Sequence, residues 1–327
     1  MRRYLLAIAV ILTAATGCDN VSWGGIDVEI VHPQSTPEAA AEEATVPGEA
    51  GTPRVAGPVL LAGVREGSRA TLTVVGEVQG DAVAAFPDTT SPEDVERLAA
   101  LTAAGSRWIL FSEGVRVGSM TADASGVAQD FCGPRATISG VVELVPPAST
   151  AERLLALPAA TADREYQPFR ALAHVYDQRV ASLTLAGEAI PRFGANWPAG
   201  SLLEARQDIQ AFQMVGTAGT SIAATFMYED QLAVVPPGPR AYALFVLGVE
   251  SGDTYREAYA WYREVDTDGK GAPRYFSHLD WDGDGSAEIL LDVFGSDRRW
   301  FAGLAQRGGQ WIRTFQGTCA SGSSAGD

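Results

Sequence analysis

Histidine and cysteine are scarce: the 327 residues include three of each. Basic residues are also outnumbered, with 24 Lys and Arg against 40 Asp and Glu, giving a formal net charge of −16. A surface of that sign disfavours nucleic acid, whose phosphates are met by Lys and Arg. It is also repelled by anionic membrane surfaces. No His-Glu-x-x-His zinc motif, Walker loop or dinucleotide fingerprint occurs,. His32, His174 and His278 each stand alone in sequence, which favours structural roles. Gly322-Ser323-Ser324-Ala325-Gly326 has the form of a nucleophile elbow, but it lies in a Ser/Gly tail and not between a strand and a helix,. What remains is ordinary globular composition, 46% apolar and 20% charged,. That length suits one large domain or two small ones.

The amino terminus has three parts. Arg2 and Arg3 make a positive start, and Leu5 to Leu12 is apolar. That run is too short to span a bilayer, which takes about 20 helical residues. Small residues follow, up to Cys18. This order predicts a secretory signal peptide over 1–17. Ala15-Thr16-Gly17-Cys18 resembles the lipobox of bacterial lipoproteins, with Ala15 where leucine is usual. The resemblance implies that Cys18 is acylated and becomes the mature first residue. The chain would then be anchored to the membrane by lipid, on the periplasmic side or the cell surface, without a spanning helix. Loss of Arg2 and Arg3 takes the formal charge from −16 to −18. Residues 18–58, with Pro33, Pro37, Pro47, Pro53 and Pro58, read as a flexible tether,. Within it, "VSWGGIDVEIV" alternates like a strand.

From Val59 to Asp327 the pattern is that of a globular body. "RATLTVVGEV" and "RWILFSEGVRVGSM" read as strands,. Between them "SPEDVERLAALTAAG" reads as a helix, capped by Ser91 and started at Pro92,. A second helix is expected around Phe169, Leu172, Tyr176, Val180 and Leu183, and a short one over "TAERLLAL",. A subdivision near 146–158 is one option. From about 220 to 318 the expectation is antiparallel strands. "SIAATFMY" would pair with "QLAVV", "AYALFVLGV" with "TYREAYAWYREV", and "RWFAGLAQR" with "QWIRTF" across Gly308-Gly309,. The fold class is therefore α+β, mainly antiparallel sheet with two or three helices and a C-terminal hairpin loop. A propeller needs at least about four blades, and only one intact acidic loop is visible.

That loop is the strongest signal. "SHLDWDGDGSAEILLDVF" places Asp280, Asp282 and Asp284 at alternate positions. Like charges repel by about 1 kcal/mol per pair at ~4 Å even in water, so a hard cation is the natural counterweight. Gly283 and Gly285 permit the sharp turns. Ser286 can offer its carbonyl, and Glu288 a carboxylate oxygen. Such oxygen donors suit calcium better than magnesium or zinc. An EF-hand would need an acid at the twelfth loop position, where Leu291 stands, and would continue as a helix,. "EILLDVF" instead reads as a buried strand. The segment resembles the calcium loops of FG-GAP and VCBS-type repeats, where the acidic loop joins two strands. The resemblance implies a calcium site formed by Asp280, Asp282, Asp284, Ser286 and Glu288. Upstream, Asp266 and Asp268 begin a similar run, but Lys270 takes the third acid's place, so a hairpin turn is expected there.

With Cys18 assigned to lipid, Cys132 and Cys319 are left, and pairing them is the simple expectation for an exported protein. Two aromatic groups, Tyr255, Tyr259, Trp261 and Tyr262, and Trp281, Trp300 and Trp311, favour core packing over sugar stacking. Two functions stand open. One is a non-catalytic binding or structural module of the cell envelope, stabilised by calcium, with a glycan or protein ligand and no nucleic acid. The other is an envelope-polymer hydrolase using carboxylates. Two carboxylates converging in a deep cleft would favour the enzyme.

Overall fold

Short runs rich in Val, Ile, Leu and aromatic residues, separated by glycine turns, make the described residues mainly antiparallel sheet,. The computed structural model describes residues 56–317 and Cys319, apart from 89, 163, 216, 218, 267 and 268. The expected signal peptide, Cys18, the 21–31 strand, the tether up to 55 and the Ser/Gly tail lie outside the described residues. Arg54–Asp327 forms one compact unit.

Seven strands make the first layer: β1 (Val59–Glu66), β2 (Arg69–Gln79), β3 (Ala82–Ala84), β4 (Arg107–Ser112), β5 (Val115–Ala128), β6 (Arg135–Leu144) and β7 (Arg153–Pro158). Their order is β1-β7-β4-β5-β6-β2, and β1 also pairs β2, so six strands close into a barrel with β3 appended. Leu61, Leu72, Trp108, Leu110, Val117 and Leu154 fill its interior. Helix α1 (Pro92–Thr102) starts where expected, and Ser91 Oγ accepts the Asp94 N–H at 3.3 Å.

The second sheet joins β8 (Arg206–Phe212), β9 (Ser221–Tyr228), β10 (Tyr242–Ser251) and β11 (Thr254–Glu264) in the order β11-β10-β9-β8. Helix α2 (Tyr176–Arg192) covers it through Leu185, Ala186, Ala189 and Ile190, and α3 (Leu202–Ala205) adds a single turn. The third sheet is a meander of β12 (Ala272–Leu279), β13 (Glu288–Phe294), β14 (Arg299–Arg307) and β15 (Gln310–Gln316). It is the middle layer. Phe276, Leu279, Leu290 and Phe301 pack on the barrel's outer residues Leu60, Ile109, Phe111 and Leu155. Tyr275, Ile289, Leu291 and Val293 pack on Phe245, Leu247 and Trp261 of the second sheet. Burial on both faces is why "EILLDVF" is almost continuously apolar,.

Three expectations are corrected. "TAERLLAL" is not a helix, because it contains strand β7, which pairs β1 and β4. Leu154, Leu155, Ala156 and Leu157 are buried on both faces, and such a short apolar run does not distinguish strand from helix,. Helix α2 begins at Tyr176 and not near Phe169, where Gln178 Oε1 accepts the Val175 N–H at 2.9 Å. Its buried face is Ser182, Leu185, Ala186, Ala189 and Ile190, whereas Tyr176 and Val180 are exposed. "QLAVV" is irregular, and β9 pairs β8 and β10 instead. The Leu232 N–H donates to Gln207 Oε1 and the Gln231 carbonyl accepts from Lys270, so side chains take the groups a ladder would use,.

Candidate functional site

Leu279 and Glu288 are register partners at the end of β12 and β13, and the acidic loop is the connection between them. Strand alternation continues into it. Leu279 and Trp281 turn into the core and are buried, while Asp280 and Asp282 face the other way,. Each aspartate then folds the chain on itself. Asp280 Oδ1 accepts the Gly283 N–H at 2.6 Å and Oδ2 the Gly285 N–H at 3.2 Å. Asp282 Oδ1 accepts the Asp284 N–H at 3.1 Å, and Asp284 Oδ1 the Ser286 N–H at 2.7 Å. These are successive Asx turns. Gly283 and Gly285 have φ of 85° and 94°, the left-handed region that glycine enters without steric cost,.

The loop brings one oxygen each of Asp280, Asp282 and Glu288 within 4.8 Å of one another. Glu288 is 1% exposed, and its Oε2 accepts the Trp281 N–H at 3.0 Å. Asp284 and Ser286 are exposed, and the trio that converges does not include them. Burial pushes the Glu288 carboxyl up to about 8, and Asp282, Asp280 and Asp284 add to it. Asp282 is also raised, first by burial and then by Asp284, Asp280 and Asp81. Asp81, on the β2–β3 turn, is itself neutralised by a bidentate pair with Arg307 at 2.5 and 2.6 Å.

Beside the loop lies a cleft of about 390 Å³. It is also lined by Gly114 and Arg116 at the β4–β5 turn and by Arg164 and Glu165 on the irregular strap after β7. Behind the turn, Glu113, Tyr275 and His278 meet. The Tyr275 hydroxyl lies 2.7 Å from His278 Nδ1 and 3.5 Å from Glu113 Oε2. Burial lowers His278 to about 4 and raises Glu113 to about 7. Sequence reasoning missed Glu113, Arg116 and Arg164, because they lie more than a hundred residues before the loop and no local pattern marks them.

Asp266 bridges Gly269 in a turn, and Asp268 lies outside the described residues. Lys270, the chain's sole lysine, forms a buried pair with Asp230 at 3.0 Å. Trp261, Trp281, Trp300 and Trp311 are core residues, and the Tyr255 hydroxyl bonds Thr220 and Gln178. Cys132 and Cys319 are joined as a disulfide with Cα atoms 4.5 Å apart. No protein family, curated protein or solved structure matches this chain.

Proposed function

We propose that this chain is an exported bacterial lipoprotein, anchored through Cys18, and that its body is a non-catalytic binding or structural module of the cell envelope held by one calcium ion. The observation that carries the calcium reading is the convergence of Asp280, Asp282 and Glu288. Two oxygens bound to one calcium at about 2.3–2.6 Å stand at most roughly 5 Å apart, and the three carboxylates meet that limit. Glu288 and Asp282 are raised first by burial and further by their acidic neighbours, and a bound cation would offset both effects. Backbone carbonyls and water would complete the six to eight oxygens calcium takes in all, with Ser286 and Asp284 the nearest further donors in sequence.

The loop's carboxylates accept hydrogen bonds from their own backbone, which favours an ion that fixes the hairpin over hydrolysis of a polymer. At millimolar calcium and the affinity of extracellular modules, binding adds about 0.4–1.4 kcal/mol. A melting curve in calcium and in chelator tests this. We expect calcium to raise Tm by a few degrees, and identical curves would contradict it.

A further inference from the structure

The cleft beside the acidic loop carries both charges. Asp280, Gly283 and Gly285 of the loop line it together with Arg116, Arg164 and Glu165. A volume of 390 Å³ is that of a small-ligand site,. Among the described residues neither guanidinium forms an ion pair. Arg116 is positioned by its neighbours. Its Nη1 donates to the Arg164 carbonyl at 2.9 Å, and its guanidinium lies 4.3 Å from the Tyr166 ring centroid. Its Nε is buried with no hydrogen-bond partner. Arg164 lies over Phe111, and its Nη2 comes within 3.8 Å of where a Cβ on Gly283 would stand. It therefore reaches across towards the loop.

Unpaired arginines in a cleft are the usual receptors for an oxyanion, through charge-assisted hydrogen bonds. Other arginines neutralise a carboxylate of this acidic protein, as Arg307 does Asp81 and Arg299 does Asp130. We propose that the cleft binds a small oxyanion-bearing ligand, with Arg164 and Arg116 holding its carboxylate or sulfate group beside the cation of the acidic loop. This rests on the calcium reading, since without the ion the carboxylates of Asp280 and Asp282 repel such a ligand. The cation and the arginines then act on the same ligand.

Calorimetric titration of the full chain tests this, with galacturonate and sulfate as probes for the two oxyanion types and neutral galactose as control. Each is titrated in millimolar calcium and in chelator, against the wild type and Arg164→Gln. Among the described residues Arg164 makes no side-chain hydrogen bond, so the variant is expected to keep the fold, and its melting curve verifies that. We expect saturable binding of at least one anion in calcium, weakened about tenfold or more by Arg164→Gln and by chelator, as befits a charge-assisted bidentate contact. Calcium affinity should stay unchanged in the variant. If calcium binds but neither anion does, or galactose binds equally well, or Arg164→Gln has no effect, the inference is overturned while the calcium reading stands. If calcium itself fails to bind, both fall.

Discussion

Glu288 is the residue on which the loop's electrostatics turn, because it is buried beside three aspartates and its carboxyl is raised to about 8. An acid raised by folding keeps a proton that the unfolded chain has released. Its contribution therefore favours the fold most below about 4.5 and declines as pH climbs to about 8,. His278 acts in the opposite sense: lowered to about 4, it contributes stability above the usual histidine range that is lost as pH falls through it,. The difference between wild type and Glu288→Gln isolates the first effect. In chelator, Glu288→Gln is expected to flatten the fall in stability between pH 5 and 8, seen as a Tm gap in its favour that widens with pH. A gap independent of pH would contradict the account. A second residue-scale prediction concerns Lys270. Removing it by Lys270→Met leaves Asp230 buried and unpaired and should cost about 3–5 kcal/mol in denaturant unfolding,. The double variant with Asp230→Leu should recover much of that loss.

At the scale of elements, turns made the hairpins readable. Gly308 and Gly309 stand at φ 56° and 80° with open space around them, so Arg307 pairs Gln310 directly. Gly308→Ala is expected to cost about 1 kcal/mol through backbone conformation alone, measured as a shift in denaturant midpoint at constant m-value. Helix α1 was legible for a similar reason, since Ser91 and Pro92 specify its start locally. The acidic loop was legible because its Asx turns lie within a few residues of each other. Elements decided by distant partners were not. Strand β7 resembles a helix until β1 and β4 are placed on either side of it. The buried face of α2, with Ser182, Leu185, Ala186, Ala189 and Ile190, is set by the second sheet and is not the expected stripe. Barrel closure depends on pairing of β1 with β7 across about ninety residues, which no local pattern encodes. The cleft's arginines were hidden in the same way.

At the scale of the molecule, the four-stranded meander lies between a barrel and a helix-covered sheet, so its two faces join the cores. The acidic loop is thus mounted on two strands buried on both faces, and their movement is resisted from both sides. The Cys132–Cys319 disulfide ties the loop before β6 to the segment after β15, spanning 187 residues. In the chain-entropy picture such a crosslink contributes about 5 kcal/mol. Cys132→Ser with Cys319→Ser should lower stability by up to that amount, read by urea unfolding, and a wild-type-like midpoint would show the crosslink to be energetically idle.

The most direct test of the central claim is a calorimetric calcium titration of the full chain at neutral pH, run beside Asp282→Asn and Glu288→Gln. One ion per chain is predicted, at about 10⁻⁴ to 10⁻³ M, with affinity rising as pH approaches 8 and binding lost in both variants. No heat beyond dilution in the wild type, or the same isotherm in all three proteins, would contradict it.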